Sequence, residues 1–485
     1  MTAARGKLDE ADLLVTRNLI GGQWIGGNAK PIAVDDPYTL GVIAEVTSVG
    51  EAEAQAAVDA AQAAFPAWAA RTAKERGTVL RRWFELILAH KADLARLITL
   101  ENGKHIREAR GEVDYANQFM EFYADHATRL LGETIPAPMA GRRLYAEPEP
   151  LGVAAAITPW NFPLAMLTRK AAPALAAGCT MVAKPASQTP LTALAFARLG
   201  EEAGVPPGVF NIVTGSAGAI GKVLTGSKVV RKLSFTGSTE IGVMLAQQCM
   251  GTMKRISMEL GGNAPLLILD DADLATAVET AMVAKFRNGG QSCIAANRIY
   301  VQAGLKDAFL DAFAARVSAM TAGDGFDDAS DIGPMIDAAA LAKIDEHRED
   351  AVARGGRLVA GGSSPGGRLA LPTLIADVPA DALLAHEETF GPLAGVIAFD
   401  TVEQGIALAN DTPFGLAAYL CSSDPARITH VSRQLESGMV GINTGLISTA
   451  HAPFGGVKMS GVGKEGSAWG IEEYVNRKYI CHAGL

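Results

Sequence analysis

From Leu151 onward the chain alternates short apolar runs with alanine-rich stretches of helical spacing, and this alternation constrains the fold more than any other feature. Apolar runs at residues 151–158, 180–184, 209–214 and 231–235 have the length of strands in a buried sheet. Residues 191–203 and 217–224 lie between them with helical spacing. Strands separated by helices imply a parallel sheet, because the helix makes the crossover between neighbours. A second series starts near Pro265, with runs at 266–269, 299–301, 358–360, 396–398 and 439–443. The spacing therefore predicts an α/β chain of two doubly wound units, joined near Gly261-Gly262. Upstream, residues 51–64 and 73–98 read as amphipathic helices. No internal repeat is visible, and the glycine-rich stretch 361–367 reads as a loop.

Bulk properties narrow the function classes. A chain of 485 residues exceeds one ordinary domain. Hydrophobic residues at 49% and charged residues at 20% suit a soluble globular protein. The net charge of -9 argues against nucleic-acid binding, whose footprint is basic. No apolar run approaches the roughly 20 residues of a membrane span, and residues 1–12 lack the apolar core of a signal peptide. The five cysteines are scattered, with no spaced pairs for a disulfide framework or a zinc site. A cytoplasmic location follows as the expectation. His386 and His451 are isolated, so no metal is expected.

Four places could carry chemistry. Cys293 ends the run Asn288-Gly289-Gly290-Gln291-Ser292-Cys293, and two glycines before a thiol permit a close ligand approach. Alone, the run fits a structural cysteine as well as a catalytic one. Cys421, in an apolar run, reads as core. Two segments could cradle a phosphate at a helix N-terminus. The first is Gly215-Ser216-Ala217-Gly218-Ala219-Ile220-Gly221, whose spacing is not that of a dinucleotide fingerprint, so an ordinary turn explains it better. The second is Phe235-Thr236-Gly237-Ser238-Thr239, where a plain helix cap explains Ser238 nearly as well. Lys184 ends a strand and so faces the ligand crevice of an open sheet, unless it is a solvated loop lysine. Ser187 stands where dinucleotide sites often hold a carboxylate, and its hydroxyl leaves room for a 2′-phosphate.

Together the motifs form an ordered set: Thr158-Pro159-Trp160-Asn161-Phe162-Pro163, Lys184-Pro185-Ala186-Ser187, Phe235-Thr236-Gly237-Ser238-Thr239, Met258-Glu259-Leu260-Gly261-Gly262-Asn263, Gly290-Gln291-Ser292-Cys293, Glu387-Glu388-Thr389-Phe390-Gly391-Pro392 and Pro453-Phe454-Gly455-Gly456. This set closely resembles the aldehyde dehydrogenase superfamily, over nearly the whole chain. The runs 157–170, 285–287, 445–448 and 463–485 are most similar to its succinate-semialdehyde branch.

The resemblance implies a Rossmann-type NAD(P)-binding domain at 1–130 and 147–261. It also implies an α/β catalytic domain at 262–462, and an oligomerisation element at 131–146 and 463–485 that pairs subunits into a homodimer or homotetramer. Carried over position by position, Cys293 becomes the nucleophile, Glu259 the base that activates water, and Asn161 with the Cys293 N–H the oxyanion hole. Trp160, Lys184, Ser187, Gly237, Ser238, Glu388 and Phe390 become cofactor contacts. Arg169, Arg287 and Ser448 become the grip on the substrate's distal carboxylate. The implied reaction oxidises succinate semialdehyde, through a thiohemiacetal and a thioester, to the dicarboxylate. Glutarate semialdehyde, or aldehydes in general, are the alternatives, and a catalytically inactive homologue is the non-enzyme alternative. With Ser187 in place of a carboxylate, NADP is expected in preference to NAD. Two departures stand out. Ala295 occupies a position where the branch often has a second, redox-active cysteine, and His451 replaces acidic or amide residues common in relatives.

Overall fold

The sequence reading of residues 73–98 as one helix is corrected by the computed structural model, in which the stretch breaks at His90. Helices Ala73–Ala89 and Lys91–Asn102 meet there, and Ile106–His126 packs back against both. Thr72 starts the first of them with a capping box: its hydroxyl accepts from the Glu75 N–H, and the Glu75 carboxylate accepts from the Thr72 N–H. The structure describes residues 7–27 and 29–484. Residues 1–6, Asn28 and Leu485 lie outside them, and with them the expected domain bounds at Met1 and Leu485 and part of the segment searched for a signal core.

The alternation after Leu151 folds as two parallel sheets with antiparallel edges. In the first, the chain lays down Val153–Ile157, then adds Thr180–Lys184 and Phe210–Ile212 on one side. It then crosses back to add Val230–Thr236 and Arg255–Glu259 on the other. The order thus reverses between Val153–Ile157 and Val230–Thr236. Ligands of open sheets bind beyond the strand C-termini at such a point. Antiparallel strands Asn18–Ile20 and Gln23–Ile25 close one edge. The other edge is closed by Gly461–Val462, which the sequence reading put at the end of the second unit.

The second sheet runs Arg357–Ala360, Thr373–Ala376, Leu393–Phe399, Ala296–Gln302, Ala264–Ile268, Ala417–Cys421, Met439–Ile442. All neighbours are parallel except the first pair. The run at 358–360 is thus an antiparallel edge strand. Val475–Ala483 joins Arg142–Pro150 and Glu133–Ile135 in a separate three-stranded antiparallel sheet. Helix Ala165–Ala177 is buried along its whole length beneath the first sheet, which explains its near-continuous apolar sequence. Among the described residues, no helix is long and apolar enough to cross a membrane, and no group of three His, Cys, Asp or Glu side chains could hold a metal ion.

Candidate active site

The loops leaving the two strands at the reversal point converge on Cys293. Thr158 to Phe162 follows Val153–Ile157, and Gly237-Ser238 follows Val230–Thr236. Cys293 arrives from the second unit, after helix Leu274–Phe286 and a tight turn at Arg287–Gly290. Three successive residues in that turn are left-handed: Asn288 (φ 55°), Gly289 (φ 59°) and Gly290 (φ 74°). A Cβ on Gly290 would stand 2.2 Å from the Gly391 carbonyl oxygen. The glycines before the thiol therefore serve the backbone path that presents it.

These loops enclose a cavity of about 240 Å³. Cys293, Asn161 and Trp160 line it, with Gly237, Ser238, Glu388 and Phe390 on one side. Arg169, Arg287 and Ser448 line it on the other. Glu259, Lys184 and Ser187 are not part of its wall.

Burial pushes the Cys293 thiol up to about 12, with Glu388 and Glu259 adding to the effect and Arg169 opposing it. The thiol is therefore protonated at neutral pH. The Asn161 side-chain amide donates to the Gln291 carbonyl at 3.1 Å. An amide nitrogen has two hydrogens, so one remains for the cavity. Glu259 is buried, and neither carboxylate oxygen has a hydrogen-bond partner among the described residues. Burial, with nearby Glu465, holds its carboxyl well above the usual range, against Arg169 and Lys170. Glu259 does not pair with the nearby Arg255, which donates to the Glu472 and Val475 carbonyls at 3.0 and 2.6 Å.

The cofactor candidates divide into two groups. Ser238 is the N-cap of helix Thr239–Met250, yet its side chain makes no cap hydrogen bond. Its hydroxyl and the first-turn N–H groups remain available to an anion. Glu388 accepts from the Gly262 N–H at 3.1 Å through one oxygen, which leaves the other to accept from a sugar hydroxyl. Burial raises its carboxyl to about 7. Trp160 and Phe390 meet edge to face, 5.5 Å between ring centres. This set of phosphate donors, hydroxyl acceptor and aromatic rings fits a nicotinamide dinucleotide. Lys184 and Ser187 sit apart from the cavity wall, Lys184 as the last residue of Thr180–Lys184 and Ser187 three residues on. The Lys184 ammonium donates to the Pro185 carbonyl at 3.0 Å, and burial lowers it to about 8. The other glycine-rich segment is structural. Ser216 caps helix Ala217–Gly226, and Gly215 (φ 156°) abuts Val49, whose carbonyl oxygen would lie 2.3 Å from a Cβ there.

On the substrate side, Arg169 is buried and pairs with Glu465 through Nε. Its guanidinium carbon lies 4.0 Å from the Phe454 ring centre, and its Nη2 has no hydrogen-bond partner among the described residues. Arg287 is half-buried, 5.2 Å from the Phe162 ring centre and 5.9 Å from that of Tyr115. Among the described residues it pairs with no carboxylate. Tyr115 lines the cavity together with Ser448. Sequence reasoning missed Tyr115, Lys170 and Glu465 as site residues. Tyr115 looks like one more core position of an amphipathic helix, and Lys170 joins Glu465 across 295 residues, which no local pattern reveals.

Comparisons with known proteins agree with this geometry. Residues 24–480 match the model of the aldehyde dehydrogenase family. The chain is 54% identical to the succinate-semialdehyde dehydrogenase [NADP(+)] GabD of Escherichia coli K12, over 98% of this chain and 99% of that one. It is 52% identical to the glutarate-semialdehyde dehydrogenase of Pseudomonas aeruginosa, over 99% of this chain and 100% of that one. The crystal structure of an aldehyde dehydrogenase from Brucella melitensis biovar abortus 2308 superposes with a TM-score of 0.98 at 54% identity, covering 100% of both chains. The chain belongs to the aldehyde dehydrogenase family.

Proposed function

We propose that the protein oxidises succinate semialdehyde to the dicarboxylate, with NADP preferred over NAD. The observation that carries this reading is Arg287, a cavity-lining guanidinium with no carboxylate partner among the described residues. A substrate carboxylate is the ion that completes it. Ser448 and the open Nη2 of Arg169 add donors on the same side.

In the proposed mechanism Cys293 gives up its proton to solvent, and its thiolate attacks the aldehyde carbon, giving a tetrahedral thiohemiacetal. The free N–H of the Asn161 amide and the backbone N–H of Cys293 hold the oxygen as charge develops on it. Each such donor contributes about 10²–10³ in rate. A bound dinucleotide supplies the hydride acceptor. Gly237 and Ser238 would hold its phosphates, Glu388 the nicotinamide ribose, Trp160 and Phe390 the ring, and Lys184 and Ser187 the adenosine ribose. Glu259 then takes a proton from water to hydrolyse the thioester. Burial and Glu465 raise its carboxyl, while Arg169 and Lys170 favour the ionised form that acts as the base.

The adjoining cavity of about 270 Å³ shares Tyr115, Phe162, Arg287 and Ser448 with the first. That spare length favours glutarate semialdehyde as the second reading. We further assign residues 1–130 and 147–261 to cofactor binding, 262–462 to catalysis, and 131–146 with 463–485 to oligomerisation. The exposed edge strand Val475–Ala483 supports a homodimer or homotetramer. The five free cysteines support a reducing cytoplasm.

Steady-state kinetics with succinate semialdehyde, glutarate semialdehyde and an uncharged aldehyde of equal length, each with NADP and NAD, test the reading. The highest kcat/KM is expected for succinate semialdehyde with NADP. Equal values for the charged and uncharged aldehydes sink the carboxylate grip. A value for NAD about tenfold above that for NADP sinks the cofactor preference. Ser187→Glu is expected to raise the KM for NADP and shift use toward NAD, because a carboxylate repels the 2′-phosphate.

A further inference from the structure

We propose that Glu108 and Glu112, one turn apart on helix Ile106–His126, are positioning residues that hold the Asn161 loop in register with the Cys293 turn. The inference rests on the reading of Asn161 as the oxyanion donor. Residues four apart share a helix face, and each of these carboxylates fixes one donor to the Asn161 backbone carbonyl. Glu112 pairs with Lys104, whose ammonium donates to that carbonyl at 2.9 Å. Glu108 accepts from the Asn288 N–H at 2.7 Å, and the Asn288 side-chain amide donates to the same carbonyl at 3.1 Å. Both lone pairs of the Asn161 carbonyl are thereby used.

Further contacts reach the flanking residues. The second oxygen of Glu112 accepts from the Leu164 and Ala165 N–H groups at 3.0 and 3.3 Å. It thus caps helix Ala165–Ala177, whose own N-cap residue supplies no side-chain bond. The Lys104 ammonium also stands 3.9 Å from the Phe162 ring centre. Asn102 donates to the Trp160 carbonyl at 3.0 Å. Meanwhile Asn288 is left-handed and belongs to the turn that delivers Cys293. One helix face therefore holds both the donor loop and the nucleophile turn. Neither carboxylate, nor Lys104, lines the Cys293 cavity, although Lys104 and Glu108 line the adjoining one, and their contacts toward the nucleophile run through Asn161 and Asn288.

A buried ion pair is weak support for stability alone, because apolar replacements of equal volume are often as stable. Its value here is directional. A misplacement of about 1 Å at a reacting centre can lower the rate about 10²-fold.

The test uses the full-length enzyme and reads three quantities: the pre-steady-state burst of reduced cofactor, cofactor affinity and melting temperature. Glu112→Gln alone leaves the Lys104 charge buried and unpaired, so its melting temperature falls. The double variant Lys104→Met/Glu112→Gln removes both charges and regains stability, while its burst slows about tenfold or more with cofactor affinity unchanged. A merely structural pair would let the burst recover along with stability. Glu108→Ala is the second arm, at a half-buried position. Its burst is expected to slow about threefold or more and to be restored in Glu108→Gln, which keeps an acceptor oxygen. A wild-type burst in Glu108→Ala, or in the double variant at native melting temperature, overturns the inference. Asn161→Ala serves as the control. If its burst falls about a hundredfold while the other variants stay at wild type, only the positioning role fails. If Asn161→Ala itself keeps the wild-type burst, the oxyanion reading fails.

Discussion

Two arginines face one cavity from opposite kinds of surroundings. Arg169 is built into the protein: its Nε is paired with Glu465, Phe454 lies 4.0 Å beneath it, and it is 1% exposed. Arg287 lies beside the rings of Phe162 and Tyr115, and among the described residues it pairs with no carboxylate. Burial opposes charge at Arg169, and Glu465, with Tyr115 and Glu259, outweighs it, so the guanidinium stays firmly protonated. Arginines that look equivalent as substrate contacts thus divide their duties. Arg169 holds the cavity wall and offers one unpartnered Nη2, whereas Arg287 is in contact with no carboxylate among the described residues. The difference predicts that replacing them breaks different things.

The largest effect is expected from Arg169→Met. It leaves Glu465 with one cation fewer, and removing one member of a buried ion pair costs about 3–5 kcal/mol. Lys170 still contacts Glu465, which puts the loss at the lower end. Denaturant unfolding should register it, and activity should fall for charged and uncharged aldehydes alike. A native unfolding midpoint with loss confined to the semialdehyde would erase the distinction between the two arginines.

Next is Arg287→Ala. A hydrogen bond to a charged group is worth about 1.5–3 kcal/mol, so kcat/KM for succinate semialdehyde should drop about ten- to a hundredfold. An uncharged aldehyde of equal length should lose far less, and the melting temperature should barely move. Equal losses on both substrates would count against the role.

A smaller step is expected from Ser448→Ala, a neutral donor worth about 0.5–1.5 kcal/mol. Semialdehyde selectivity should fall a few-fold without loss of stability. Competition between the charged and uncharged aldehydes in one reaction would measure it.

The finest discrimination comes from pH. Cys293 is pushed up to about 12 and Glu259 is raised, and both act deprotonated. The rate should therefore climb with pH through neutrality and go on climbing toward the thiol's value of about 12. The Arg287→Ala profile should keep the wild-type shape at a lower level, and a shifted profile would tie Arg287 to the ionisation of the thiol.

What could be read from sequence, and what could not, follows the range of the interactions. The parallel sheets were legible because strand and helix periods repeat locally. Residues 180–184 form a strand with those bounds, and 191–203 loses one residue as helix Leu191–Glu202. The break at His90 was not, since the apolar spacing continues through it and no glycine or proline marks it. Cys293 and Asn161 were legible as parts of ordered motifs. Their supports were not. Lys104 reaches Asn161 across 57 residues, and Glu465 reaches Lys170 across 295. Such pairings leave no periodic trace, and a lone Glu in a glycine-rich tail reads as a solvated residue.

The reach of Glu465 also bears on how the protein is made. Arg169 and Lys170 are buried cations whose shared counter-ion is synthesised 295 residues after Lys170. At roughly 5–20 residues per second, a ribosome takes about 15–60 s to cover that distance. The edge strand Gly461–Val462 belongs to the same late stretch of chain. Through this interval the nascent first sheet lacks both an edge and the acid that neutralises its innermost helix. The first sheet and its buried cations are therefore expected to reach their final packing only after this late stretch of chain has been made.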